Sequence, residues 1–128
     1  MKITRFEDLE IWKEARELCR IVYEITSNGP FGLDFKLRDQ IRGSSGSAMD
    51  NIAEGFERGG NKEFIQFLWI SKGSIGEVRS QSYRAFDVRH INEEKLTDLL
   101  KRTDSLSRKI YNLIQTLKGS DIKGIKYS

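Results

Sequence analysis

The fold is decided by residues 92–119, NEEKLTDLLKRTDSLSRKIYNLIQTLKG, which carry the most regular apolar pattern in the chain. Steps of three and four residues alternate along it, and this spacing places side chains on one face of an α-helix. Asn92 is a favourable N-cap residue, and Gly119 is a common helix terminator. The apolar stripe consists of Leu96, Leu99, Thr103, Leu106, Ile110, Leu113 and Leu117. Such a stripe predicts a helix over about 92–118 that packs against other helices.

Three segments upstream show the same helical spacing and are separated by short glycine-containing stretches. They span about residues 6–26, 34–54 and 61–88. The first places Leu9, Trp12, Ala15, Cys19, Val22 and Thr26 on one face. Asp34 and Asn61 stand where the second and third helices need an N-cap. No segment alternates with a period of two, so we expect no strands. The sequence predicts an all-α domain over 1–119, an antiparallel up-down-up-down four-helix bundle, with a flexible tail at 120–128.

The second predicted helix contains an unfavourable run, Gly43-Ser44-Ser45-Gly46-Ser47. Each glycine costs on the order of 1 kcal/mol relative to alanine inside a helix. The run is either a break between two short helices or a place where small side chains let another backbone approach closely. The apolar steps keep their phase from Leu37 to Ile52, which favours one continuous helix. In the third predicted helix, Gly73 and Gly76 are also small residues that could let a neighbour approach closely.

The composition is that of a globular domain, with 128 residues, 38% of them hydrophobic and 32% charged. No run of 18 apolar residues occurs, so we expect no membrane-spanning helix. Cys19 is the only cysteine, which excludes an intrachain disulfide and favours a reducing compartment. We therefore expect a cytoplasmic domain that does not act at a membrane.

Few residues in the chain are of the types that carry catalysis. His90 is the only histidine, and the paired Glu-x-x-His motifs of di-metal bundles are absent. The sequence also lacks a glycine-rich phosphate loop and a serine nucleophile motif. We expect no enzymatic activity, no metal and no cofactor.

One constellation of polar residues lies near the loop between the second and third predicted helices. Its members are Asn51, Glu54, Arg58, Glu63, Ser74 and Glu77. Two interpretations are open: a carboxylate pair that performs acid–base chemistry, or a hydrogen-bonded network that fixes the register of the bundle. No histidine, nucleophile or metal-ligand set stands nearby, which favours the structural network.

Basic residues form rows on the third and fourth predicted helices, although the net charge is only +3. Lys72 and Arg79 share a face of the third helix, and Asp98 and Asp104 stand one turn from basic residues of the fourth. Such rows are commonly solvated surface, but a ring of subunits would multiply a modest charge into a strong field for phosphate. The candidate nucleic-acid-binding residues are Arg79, Arg84, Lys101, Arg102, Arg108 and Lys109.

The third predicted helix is apolar on a second side as well, where Trp69, Ile70 and Tyr83 extend its inner stripe. A helix with two apolar sides contacts more than one neighbour. The second neighbour lies either inside the bundle or across a subunit interface.

Several short segments carry a family resemblance that spans nearly the whole chain. They are Phe6 to Leu9 (FEDL), Gln40 to Arg42 (QIR), Asn51 to Gly55 (NIAEG), Lys62 to Phe64 (KEF) and Lys72 to Ser74 (KGS). The chain resembles the bacterial four helix bundle proteins, also called 23S rRNA intervening-sequence proteins. It is similar to the accessory variability protein of diversity-generating retroelements. Relatives tend to carry a second arginine and then alanines after Gln-Ile-Arg, whereas this chain has the Gly43–Ser47 run.

The resemblance implies a barrel-like homopentamer without enzymatic activity, whose retroelement relative binds nucleic acid and a reverse transcriptase through a basic surface. Our first hypothesis is therefore a homo-oligomeric accessory protein that binds RNA or DNA, with RNA preferred because of the location of the family's genes. The alternative is a protein–protein interaction scaffold with no nucleic-acid role.

Overall fold

The computed structural model of the protein describes residues 2–120, and this part of the chain is helical with no strand. Its elements in chain order are a 3₁₀ helix Phe6–Asp8, α1 Glu10–Ile25, α2 Gly29–Leu33, α3 Phe35–Glu57, α4 Asn61–Asp87 and α5 Glu93–Lys118. The long helices α1, α3, α4 and α5 confirm the predicted four-helix bundle. Apart from Ser120, the predicted tail at 120–128 lies outside the described residues. None of the described helices is both long and apolar enough to cross a membrane.

Contacts between α3 and α4 show the relative direction of the two helices. Ser71 Oγ donates to the carbonyl of Ala48 at 2.8 Å, and one turn along α4 Ser74 Oγ donates to Ser47 Oγ at 3.0 Å. Residue numbers rise along α4 as they fall along α3, so the two helices are antiparallel. α4 packs between α3 and α5, and α1 closes the bundle against α3 and α5.

The predicted stripes of α3 and α5 agree closely with the core. Leu37, Ile41, Ser45, Ala48 and Ile52 are all buried on α3. On α5 only Leu113 is half-buried, and the neighbouring Ile114 is buried with the rest. Each stripe repeats over several turns, so the buried face is assigned correctly even when a single position, such as Leu113, is off by one residue.

The predicted stripe of α1 needs correction. Trp12 and Cys19 are only half-buried, and the buried residues of this helix are Ile11, Ala15, Leu18, Ile21 and Val22. Because α1 sits against both α3 and α5, its buried arc is wider than a single line of residues.

The Gly43–Ser47 run lies in the uninterrupted helix α3, so the interpretation as a helix break is wrong. Ser44 and Ser45 are buried, but a Cβ added at Gly43 or Gly46 would have no heavy atom within 4 Å. The same open space surrounds Gly73 and Gly76 on α4. Through the Ser47–Ser74 contact, the two glycine pairs lie at the same height on adjacent helices. No neighbour approaches these glycines closely within the described chain.

The close approach of helices occurs instead at Gly55. A Cβ at this position would lie 2.6 Å from Phe67 Cβ and 2.9 Å from Phe64 Cδ1, so glycine is required by space and not by backbone conformation. The end of α3 can then lie directly on the first turns of α4.

The helix ends agree in part with the prediction. Asp34 Oδ1 accepts from the Leu37 N–H at 3.3 Å and Asn92 Oδ1 from the Lys95 N–H at 2.8 Å, which confirms both N-caps. Asn61 does not cap: the N-cap of α4 is Gly60, and the Asn61 side chain donates to the carbonyl of Ser120 at 3.5 Å. The loop between α1 and α3 contains the short helix α2, which was not predicted. It begins at Gly29, whose positive φ of 64° suits glycine.

A salt-bridge cluster joins α1 to α5. Lys109 Nζ donates to Glu10 Oε1 at 2.9 Å and also to Glu14 Oε2. The hydrogen bond and the charge of Lys109 lower the pKa of Glu10 below its usual value, and the two carboxylates raise the pKa of Lys109. This Glu10–Glu14–Lys109 cluster links residues nearly a whole chain length apart.

We expect Gly55→Ala to lower the free energy of unfolding by about 1–3 kcal/mol, because the added methyl group overlaps Phe67 and Phe64. The measurement is equilibrium urea unfolding. Gly119→Ala is the control: its Cβ would meet only ordinary contacts at 3.6 Å and beyond, so a change within about 0.5 kcal/mol is expected. Equal stability of Gly55→Ala and wild type would contradict this packing.

We also expect the Glu10–Glu14–Lys109 cluster to make stability depend on pH in the acid range. A lowered folded-state pKa gives a stabilisation that is present above the usual value of 4.5 and lost as the pH falls through the folded-state pKa. The difference in unfolding free energy between wild type and Glu10→Gln should stay constant from pH 8 to about 6 and shrink below about 4.5. In a Lys109→Met background most of this pH dependence should disappear. A difference that persists unchanged at pH 3 would exclude the mechanism.

Candidate nucleic-acid interface

The basic row of α5 that faces α1 is neutralised by carboxylates. Lys109 is held in the Glu10–Glu14–Lys109 cluster, and Arg102 Nε lies 3.0 Å from Asp98 Oδ2. A phosphate at this row would have to compete with carboxylates already in place. Lys109 therefore contributes mainly to the structure of the bundle, whereas Arg102 has an exposed i,i+4 pair of the same kind as Arg108 with Asp104.

The α4 candidates have different environments. Arg79 is half-buried, and its Nη1 donates to the Leu100 carbonyl at 2.9 Å and to Thr103 Oγ1 at 3.2 Å, which ties α4 to α5. Arg84 is exposed and donates to the neutral Gln40 Oε1 at 3.0 Å. Arg84 thus presents a positive charge to solvent, whereas Arg79 is a helix-to-helix tie.

The second basic row of α5 points outward. Lys101 is exposed and makes no ion pair with a described residue, and Arg108 Nε lies 3.2 Å from Asp104 Oδ2. The predicted set therefore does not form one surface. The structure divides it between the α1 seam, the α4–α5 contact and the open side of the bundle.

Beside Arg108, a cavity of about 360 Å³ opens between α4 and α5. We call it the α4–α5 groove; it is lined by Lys72, Ser107, Arg108, Tyr111 and Asn112. The lining contains cations, hydroxyl groups and an amide but no carboxylate. These groups are donors for phosphate oxygens, and the volume lies within the range of ligand sites.

Two aromatic residues and a further lysine adjoin this groove. The Trp69 and Tyr111 ring centroids are 6.2 Å apart, and Lys118 Nζ lies 5.7 Å from the Trp69 centroid. Sequence reasoning did not include Lys72, Tyr111 or Lys118 among the candidates, because their association depends on the register between α4 and α5. Lys72 and Arg79 share a helix face in the sequence pattern, and Arg79 lies opposite Leu100 in the structure. Because α4 and α5 run antiparallel, the same register places Tyr111 opposite Trp69.

The polar constellation divides into two clusters. Arg58 bridges Glu54 at 2.8 Å and Glu63 at 3.5 Å across the α3–α4 loop, and both carboxylates raise the pKa of its guanidinium. Separately, Asn51 Nδ2 donates at 2.8 Å to the carbonyl of Ser47, whose hydroxyl accepts from Ser74. Ser47 was missed because its role depends on which face of α3 meets α4.

The carboxylates of this constellation do not meet. Glu54 and Glu63 are exposed and both bind Arg58, whereas Glu77 is exposed without an ion pair to any described residue. Glu77 is fourteen residues beyond Glu63 on α4, about 21 Å along the axis. The geometry therefore supports a structural role for these residues and gives no cleft for acid–base work.

Two other residues of reactive types, Cys19 and His90, make contacts that hold the fold together. Burial raises the pKa of the Cys19 thiol, which donates to the Ser45 carbonyl at 3.1 Å, so this cysteine is a poor nucleophile. His90 Nε2 lies 2.9 Å from Asp34 Oδ2, and its ring stacks on Phe31 at 4.9 Å. Among residues 2–120, no group of three or more His, Cys, Asp or Glu could hold a metal ion.

Comparisons with known proteins agree with the fold. A solved structure from Bacteroides thetaiotaomicron, described as a protein of unknown function from the S23 ribosomal protein family, is 18% identical to this chain. It superposes with a TM-score of 0.75 over 82% of this chain and 98% of its own. At this identity the similarity establishes the fold alone. No protein of curated function matches the chain significantly.

The sequence profile of the family described as 23S rRNA-intervening sequence protein matches residues 7–112. The match spans α1, α3, α4 and most of α5, and it includes the FEDL, NIAEG and KGS segments except for the first residue of FEDL. The chain therefore belongs to the 23S rRNA-intervening sequence protein family.

Proposed function

We propose that this protein is a non-enzymatic, homo-oligomeric accessory protein that binds nucleic acid through the α4–α5 groove and the cations around it. The observation that carries the proposal is the groove itself, because its lining combines Lys72 and Arg108 with neutral donors and contains no carboxylate. Elsewhere on the surface, Arg20, Arg58, Arg102 and Lys109 are paired with acidic residues.

Free cations at the groove supply the attraction for phosphate. Lys72 and Lys118 make no ion pair with any described residue, and Arg108, which is paired with Asp104, lines the groove beside Lys72. Neutralising phosphates releases their counterions, so binding strengthens with each additional contact and weakens as salt rises. Two unpaired lysines on one subunit give modest affinity, and repetition around an assembly would raise it.

The outer face of α4 is suited to contact a second copy of the chain. Of its exposed residues between Gln66 and Tyr83, only Glu77 is charged, in a chain that is 32% charged overall. Ile70 and Tyr83 are 52% and 47% exposed on this face. A nearly uncharged helix face with large apolar side chains is typical of a subunit interface.

The open glycines support the same assignment. Gly73 and Gly76 lie on this α4 face, and Gly43 and Gly46 lie beside them on α3 with free space at each Cβ position. Together they form a shallow surface, the glycine face, on which another helix can pack closely. Four glycines inside long helices lower helix stability by roughly 1 kcal/mol each, and close packing of a second subunit would offset this. The resemblance to pentameric relatives makes a homopentamer the expected assembly.

RNA is the expected partner, because the family takes its name from intervening sequences of 23S rRNA. DNA binding uses the same phosphate contacts, and the groove lining does not by itself distinguish the two. The alternative is a protein–protein interaction scaffold, favoured by the uncharged α4 face and by the paired state of Arg102 and Lys109. That alternative requires no salt-dependent binding of either nucleic acid.

The first test neutralises the groove. We expect Lys72→Met with Arg108→Met to weaken RNA binding and to reduce the slope of log K against log salt by about 1.4–1.8, since each phosphate contact contributes about 0.7–0.9. The control is Arg20→Met with Arg102→Met, which removes the same charge from residues outside the groove; these are paired with Glu17, Glu24 and Asp98, as Arg108 in the groove is paired with Asp104. Its slope should stay near that of wild type. Equal loss in both variants would point to net charge alone, and absence of wild-type binding at any salt concentration would support the scaffold.

The second test concerns the glycine face. Gly73→Ala should raise the stability of the subunit by about 0.5–1 kcal/mol, because alanine is the better helix former, and should weaken assembly, because its methyl group blocks close packing. Light scattering and sedimentation across a concentration series measure assembly, and urea unfolding measures stability. Thr97→Ala, on the exposed side of α5, should stabilise without changing assembly. A wild-type protein that stays monomeric at all concentrations would refute the oligomer.

A further inference from the structure

We infer that the α4–α5 groove selects single-stranded nucleic acid, by stacking an unpaired base on the Trp69–Tyr111 ring pair while Lys72, Arg108 and Lys118 hold the adjoining phosphates. This inference rests on the proposed function and adds the class of nucleic acid and the contact that chooses it.

The ring pair is exposed on an otherwise polar surface. Trp69 is 42% exposed and Tyr111 45% exposed; Tyr111 lines the groove, and Trp69 adjoins it through the ring contact. The other tryptophan, Trp12, is half-buried and packs edge-to-face against Phe6 at 5.2 Å. Trp69 is thus the exposed tryptophan. It lies on the same outer face of α4 as Ile70 and Tyr83, so a ligand would reach it beside the proposed subunit contact.

The ring geometry leaves aromatic surface open. The planes of Trp69 and Tyr111 meet at 70°, an edge-to-face arrangement. Two parallel stacked rings would hide one face of each, whereas an edge-to-face pair covers a face of only one ring. Lys118 Nζ lies over the Trp69 ring, so an additional flat ring would stack on a face of the pair that Lys118 and the ring contact leave uncovered. A nucleobase offers a π-face whatever its identity.

Cations and hydrogen-bonding groups lie one helical turn from the rings. On α4, Lys72 follows Trp69 by three residues, and on α5, Arg108 precedes Tyr111 by three. Residues three apart are neighbours on a helix surface, so each wall carries an aromatic ring and a cation side by side. Lys118 Nζ adds a third positive charge 5.7 Å from the Trp69 centroid. Aromatic platforms bordered by cations are the arrangement by which proteins bind single strands.

The size and chemistry of the groove favour a single strand over a duplex. Bases in a duplex are already stacked on both faces, and their hydrogen-bonding edges are turned toward one another. A cavity of about 360 Å³ between two helices is within the range of small-ligand sites, so it admits a displaced base and not a double helix. The Ser107 hydroxyl and the Asn112 amide, both in the lining, are placed to bond the edge of such a base.

The test uses the fluorescence of Trp69 in a Trp12→Phe variant of the full chain, which leaves Trp69 as the only tryptophan. The probes are unstructured RNA and DNA single strands of twelve nucleotides and duplexes of the same length. We expect saturable quenching by both single strands, with RNA and DNA compared for preference. Duplexes should bind more weakly, as measured by anisotropy of a labelled strand, and should leave the emission unchanged.

Substitutions separate stacking from charge. Trp69→Ala should weaken single-strand binding by roughly 5- to 150-fold, the range that follows from losing one stacked base. The salt slope should be unchanged because no charge is removed. Trp69→Phe retains a ring and should stay within about 3-fold of wild type. Tyr23→Ala removes a ring of α1 that is 63% exposed and lies outside the groove, and it should have no effect.

Three results would overturn the inference in distinguishable ways. Equal affinity for single strands and duplexes with constant Trp69 emission removes the stacking contact but leaves nucleic-acid binding intact. Absence of binding to every probe removes the proposed function as well. A Trp69→Ala variant that changes subunit number in light scattering, and not RNA affinity, shows that another copy of the chain covers this ring.

Discussion

The packing of α3 against α4 is the constraint on which the remaining structure depends. Gly55 lets the first turns of α4 lie directly on α3, and the buried Ser71 hydroxyl donates to the Ala48 carbonyl at 2.8 Å. A one-turn slip between the helices would bury an unpaired hydroxyl and would press Phe64 and Phe67 against a residue with a Cβ. The register is therefore fixed at two levels, one steric and one by hydrogen bonding. Once α4 is placed, its other side determines where α5 must lie.

The sequence was sufficient for the elements and most of the core, because helical periodicity is a local property. The stripes of α3 and α5 repeat over enough turns to be read directly, whereas α1 has a broad buried arc that a single line of residues describes poorly. Asn61 was mistaken for a cap because glycine at the preceding position serves equally well in this loop. The helix α2 was missed because five residues that begin Gly-Pro carry almost no periodic signal.

The candidate site was harder to predict, because it depends on partners that are distant in sequence. The basic rows of α5 could be recognised, but not that Lys109 would meet Glu10, which is 99 residues away. Nor could the pattern show that Arg79 would turn inward to the Leu100 carbonyl while Arg84 stayed at the surface. The sequence shows which basic residues share a helix face, but the acidic residues that neutralise them are known only from the tertiary structure. The α4–α5 groove became visible only when two separate helices were aligned.

The two glycine pairs at mid-height of α3 and α4 have a consequence for how the molecule moves. The glycines leave the backbone amides in the middle of both helices without side-chain cover. Local unfolding of the helices should therefore begin at mid-height of the bundle and not only at its ends. In a lone subunit, amide hydrogen exchange would then be fastest where a long helix is usually most rigid. A second subunit bound on the glycine face would suppress this local unfolding, so that assembly and protection of these amides from exchange would occur together.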